Sequence, residues 1–142
     1  MWSDQEIGFW KEYLQAHHGL DGELERLDGE FDLNIAVRVD GRLDAVLKVM
    51  RVGCGSGLVG MQVEALDHLA ATMPDLPVPR VIRRHDGAAA AAVTDLSGDE
   101  RIAWVISAID GLPLGAMRPH PAALVHEIGH TLGRMTAGLE GF

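Results

Sequence analysis

The apolar positions change period several times along the chain, and each change marks an element. Ser3-Asp4-Gln5-Glu6 is a capping box, with serine at the N-cap and glutamate three residues on. Ile7, Trp10 and Leu14 follow at helical spacing and Gly19 can end the run, which predicts a helix over 4–17. The period then drops to two. Leu24 and Leu27 flank a first strand, and Ile35, Val37 and Val39 alternate in a second. Asp40-Gly41 is a hairpin dipeptide, and Val46, Leu47, Val49 and Met50 belong to a third strand. A glycine-rich connection over 54–60 leads into Met61, Ala65, Leu69 and Met73, a helix over about 58–72 that PDLPVP must stop.

Beyond the prolines, Val78 to Arg84 reads as extended and Asp86-Gly87 as a turn. Ala88 to Asp95 reads as a return strand, although GAAAAAV also permits helix. IAWVISAI, 102–109, is a buried strand broken by Asp110-Gly111-Leu112-Pro113. Pro121 opens a last helix running to about 138. The expected fold is α+β: a mainly antiparallel sheet of about five strands with one packed helix, plus an N-terminal and a C-terminal helix.

Totals narrow the function classes. A chain of 142 residues, 47% hydrophobic, suits one ordinary core. The net charge of −9 provides no basic stripe for a nucleic-acid backbone. The N-terminus lacks the pattern of a signal peptide and no apolar run reaches membrane length, so neither nucleic acid nor membrane is an expected partner and a cytoplasmic setting is expected. The lone Cys54 excludes an internal disulfide.

Three patterns invite chemistry. His126-Glu127-Ile128-Gly129-His130 spells H-E-x-x-H, in which two histidines one helical turn apart can bind zinc. Zinc wants a third protein ligand, and the position that would supply it in the longer pattern is Thr136. The alternative reading is a zinc metallopeptidase or zinc-binding domain on His126 and His130; the bland one is a helix with small residues beside an apolar stripe. Gly55 to Gly60 matches G-x-G-x-x-G, but the strand before it belongs to a hairpin and the next extended stretch ends in Arg83 and Arg84, so a plain strand-to-helix loop is the better reading. The third pattern is collinear. Lys48 lies inside an apolar strand, Glu64 in the helix that follows, and Gly29-Glu30-Phe31-Asp32-Leu33-Asn34 forms a hairpin bend ahead of both. A strand lysine and a glutamate from the next helix are the parts of the ion pair with which kinases hold α/β-phosphates, and backbone N–H groups of such a bend could cover them.

These stretches resemble the N-terminal lobe of the aminoglycoside phosphotransferase and choline-kinase-like superfamily, and within it the hydroxylysine-kinase-like branch. LDGEFDLNIAV, DGRLDAVLKV, VEALDHLA, LPVPRVI, WVISAIDGLPLG and the final LGRMTAGLEGF carry the resemblance, in order, over nearly the whole chain. It implies a kinase-like lobe over 1–111, with 112–142 as hinge and first helix of a second, truncated lobe. It implies ATP with Mg2+ as cofactors and a small-molecule hydroxyl substrate. By the same resemblance Lys48 binds the phosphates, Glu64 pairs with it, Gly29, Glu30, Asp32 and Asn34 belong to the covering bend, and Ala108, Ile109 and Asp110 face adenine. Phe31 departs from the branch, which has arginine there. The family's H-x-D-x-x-x-x-N catalytic loop and metal-binding aspartate have no counterpart in the chain, so no catalytic residue is assigned and the Mg2+ ligands are expected in the absent lobe. The isolated chain is expected to be inactive and to self-associate through uncovered surface. A non-catalytic interaction domain is the remaining alternative.

Overall fold

The computed structural model describes residues 2–109 and 111–142. Helix α1 (Asp4–His18) begins as its capping box requires: the Glu6 amide donates to Ser3 Oγ (3.2 Å) and the Ser3 amide to Glu6 Oε2 (2.9 Å). Strands β1 (Glu23–Leu27), β2 (Leu33–Val39) and β3 (Arg42–Val49) form an antiparallel meander. Helix α2 (Ser56–Thr72), strands β4 (Val81–Ile82), β5 (Ala90–Thr94) and β6 (Glu100–Ser107), a short 3-10 turn and helix α3 (Ala122–Gly138) complete the chain. The sheet is antiparallel throughout, as expected, and its six strands, with the two-residue β4 among them, are ordered β1-β2-β3-β6-β4 with β5 also on β6. The alanine run 88–92 enters β5 because pairing with β6 outweighs alanine's helix preference.

The sheet is covered on both faces. Ile35, Val37, Ala45, Leu47, Val49, Ala103 and Val105 pack against Trp10, Tyr13 and Leu14 of α1 in the larger core cluster. The N-terminal helix is thus as much a core helix as α2. On the other face Met50 and Trp104 meet Val59 and Val63 of α2. Each fully buried large side chain contributes on the order of 1.5–3 kcal/mol.

Two irregularities set the register. Asp40 and Gly41 both have positive φ (50° and 77°), as a two-residue hairpin turn with the native strand twist demands. The turn pairs Val39 with Arg42 and Arg38 with Leu43, but Val37 then pairs with Ala45. Asp44 is left over as a bulge, and every later pair is displaced by one residue.

Helix α3 touches the rest at its C-terminal end. Gly138 lies where a Cβ would come within 2.8 Å of Met73 and 3.0 Å of Leu69. Thr72 donates to the Gly138 carbonyl (3.0 Å), and Arg134 pairs with Asp75 (2.7 Å). Farther toward its start, Val125 and Leu132 are exposed. No helix is long and apolar enough to cross a membrane among the described residues.

Candidate functional site

Alternation along β3 sends Ala45, Leu47 and Val49 into the α1 face and leaves Val46 and Lys48 on the opposite one, beside α2. Lys48 is half-buried between Asn34 of β2 and Trp104 of β6, its register partners on either side. Its Nζ donates to Asn34 Oδ1 at 3.0 Å. An ammonium has three donors, and this amide oxygen is the one acceptor the structure gives it. Among the described residues no carboxylate lies within ion-pair distance. A partly desolvated positive charge held by a neutral partner, with two donors to spare, is prepared to receive an anion.

The bend between β1 and β2 closes on the same point. A Cβ on Gly29 would lie 2.6 Å from the Asp32 carbonyl oxygen and 2.8 Å from Asn34 Nδ2, so only glycine lets the bend fold against the asparagine that holds Lys48. Asp32 turns the other way and accepts the Arg51 amide on its Oδ1 (2.8 Å), tying the bend to the end of β3. Phe31, 65% exposed, lies under the Arg51 guanidinium at 5.8 Å from its ring centroid, a cation–π contact. Glu30 is exposed. Behind Lys48, Val46 stands between Ala36 and Ile106 in the register, an apolar strip on the same face.

Of the residues expected to bind cofactor, the structure brings Gly29, Asn34 and Lys48 together and separates the others. The Lys48–Glu64 ion pair is not formed. Glu64 follows Val63, which packs on Met50 and Trp104, and one residue of helix rotates the carboxylate out to solvent. Asn34 takes its place. The Ala108 amide donates to the Asp44 carbonyl (2.9 Å) and is committed to the sheet rather than offered to a base. Ile109 is exposed, and Asp110 lies outside the described residues.

The two other motifs do not assemble. His126 and His130 are exposed on α3, and among the described residues no three metal-ligating side chains cluster anywhere, so the third zinc ligand is not supplied. The same finding leaves no Mg2+ ligand set among them. The glycines over 55–60 form the N-cap and first turn of α2, in a sheet without the parallel strand that a dinucleotide site requires.

The role of Asn34 was the feature sequence reasoning missed. Counting back from the Asp40-Gly41 turn places Asn34 opposite Leu47; the Asp44 bulge moves it opposite Lys48.

A meander of three strands, a helix following it on one sheet face, and a further strand pair whose last strand returns next to β3 make up the N-terminal-lobe architecture of the kinase-like fold. Among solved structures the chain matches amicoumacin kinase hAmiN in complex with AMP-PNP, Ca2+ and Ami, with a TM-score of 0.72 and 16% identity over 99% of this chain. The chain spans 41% of that kinase's length. No family model matches the sequence, and no curated protein does.

Proposed function

We propose that this chain is the ATP-side lobe of a small-molecule kinase, in which the ATP γ-phosphate passes to a hydroxyl of a small metabolite. The observation that carries the reading is Lys48: a half-buried ammonium with a single neutral partner, at the foot of a glycine bend, in a kinase-like lobe. When bound, ATP supplies the transferable phosphoryl group. Lys48 would hold its phosphate oxygens, Asn34 would fix the ammonium in place, and the bend at Gly29 would bring backbone N–H groups over them. Val46 and Ile106, half-buried on that face beside the buried Ala36, would offer an apolar surface to the base. The acceptor site, catalytic base and Mg2+ ligands are assigned to a second lobe. The choice of an amino alcohol or hydroxylated amino acid as acceptor follows the hydroxylysine-kinase-like resemblance of the bend and of WVISAIDGLPLG.

The chain contains two lysines, Lys11 and Lys48, which makes a direct test available. An adenosine carrying a sulfonyl fluoride at its 5′ position should label Lys48, read by peptide mass spectrometry, and excess ATP should suppress that labelling. Lys11, 48% exposed and near Asp21, serves as the internal control. Equal labelling of both lysines, untouched by ATP, would overturn the proposal.

A further inference from the structure

Among the described residues no strand lies beside the outer edge of β5, although β5 pairs fully with β6 on its other side. The backbone alternation says which groups are left over. The Ile102 carbonyl accepts from Met50 N–H (2.8 Å), which turns the Ile102 backbone toward β3. Arg101 and Ala103 therefore bond β5 through their partners Val93 and Ala91. The N–H and C=O groups of Ala90, Ala92 and Thr94 point outward, unpaired, in a run with no charge, proline or bulge to block an incoming strand.

The edge also runs between two cavities. On the α2 face a cavity of about 550 Å³ opens between Ala90, Ala92, Ile102, Val59 and Val63. On the α1 face a groove of about 470 Å³ lies between Val93, Thr94, Phe9, Tyr13 and Ala16. Side chains of an added strand alternate between the two faces and would enter both. Of the arginines at these openings, Arg84 pairs with Asp86 (3.1 Å) and Arg101 with Asp95 (3.6 Å), while Arg51, stacked on Phe31, keeps its charge at the α2-side cavity. Among the described residues, Glu12 on the α1 side and Glu100 opposite Thr94 have no ion-pair partner.

We infer that the free edge of β5 is a docking strand for an extended segment of a partner polypeptide, with large aliphatic side chains at alternating positions and a basic residue at the end beside Thr94. Three observations choose this occupant. The unpaired main-chain groups call for an extended backbone. The two cavities call for bulky apolar side chains, which a second copy of this edge, built from alanines, cannot provide. Glu100 opposite Thr94 and Glu12 in the α1-side groove, in a chain of net charge −9, call for a basic residue at that end and oppose self-pairing. One of the two cavities opens on the same sheet face as Lys48, two strands away from it across Trp104, but the docking does not rest on nucleotide binding.

The probe is the acetylated hexapeptide Lys-Leu-Val-Leu-Val-Lys, titrated into the 15N-labelled full chain and followed by amide shifts and hydrogen exchange. The Ala90, Ala92 and Thr94 amides should shift and become protected. A version with glutamate at both ends, and one with proline at the third position, should each bind about tenfold more weakly. Ala92→Lys should abolish binding, and Glu12→Gln with Glu100→Gln should erase the preference for lysine ends in a chain that keeps its native spectrum. No shift at these three amides with millimolar peptide would overturn the inference. So would equal binding of the glutamate version. Concentration-dependent protection without peptide would assign the edge to a second copy instead.

Discussion

The Asn34–Lys48 bond makes a prediction in which stability and binding move in opposite directions. Asn34→Asp keeps the shape of the side chain but turns the acceptor into a carboxylate 3.0 Å from the ammonium. Two unit charges about 4 Å apart attract by ~4 kcal/mol at an effective dielectric near 20. Desolvating the new carboxylate and partial screening remove most of this, leaving a net gain of ~0.5–2 kcal/mol. For a chain of this size that raises Tm by roughly 2–6 °C. The same substitution neutralises the charge that is to meet the phosphates, so ATP protection of Lys48 against the sulfonyl fluoride should weaken by at least about tenfold. Thermal unfolding by circular dichroism and the labelling competition read the two effects on one preparation. An Asn34→Asp protein that is less stable, with undiminished ATP protection, would refute the idea that a neutral partner keeps Lys48 available for anions.

Gly29→Ala should cost ~1–3 kcal/mol in urea unfolding, because its Cβ must displace the Asp32 carbonyl or Asn34 amide, and Lys48 labelling should change with it; an unaltered midpoint would discount the tight bend. His18 is buried at the end of α1, and burial first, then the Arg84 guanidinium and His17, hold its pKa below the ordinary 6.5. The unfolded chain therefore takes up this proton first on acidification. Stability from neutral His18 is complete above about pH 6.5 and is lost below it as pH falls toward the folded-state pKa, by at most ~1.4 kcal/mol per pH unit. His18→Phe should flatten that part of the Tm-versus-pH curve, and an unchanged slope would move its origin elsewhere. Gly138→Val, which drives a side chain into Met73 and Leu69, should free α3 and raise hydrogen exchange over 122–138 while leaving the sheet amides protected; loss of protection throughout would show α3 to be integral to the core.

Local signals gave local structure. The capping box at Ser3, the Asp40-Gly41 turn and Pro121 each place an element boundary within a residue or two, because the responsible contacts span only a few positions. The alanines of β5 were ambiguous because their strand is chosen by β6, not by their own preference. The candidate site was half legible. A lysine among aliphatic residues stands out, and Gly29 and Asn34 fall within the expected bend. What holds the ammonium was hidden, because it depends on the Asp44 bulge, which has no composition of its own, and on the angular position of Glu64 around a helix whose docking face is fixed by Val59 and Val63.

The leftover residue Asp44 has a mechanical consequence as well. Its carbonyl clamps the Ala108 amide from one side, just as the Arg80 carbonyl clamps the Ser107 amide from the other (2.8 Å). The chain leaving β6 is thus bolted to the sheet on both flanks and released at Ile109. Ala108 is anchored four residues of β3 away from Lys48, counted from the bulge. The Asp44–Ala108 bond therefore couples the exit of β6 directly to the strand that carries Lys48.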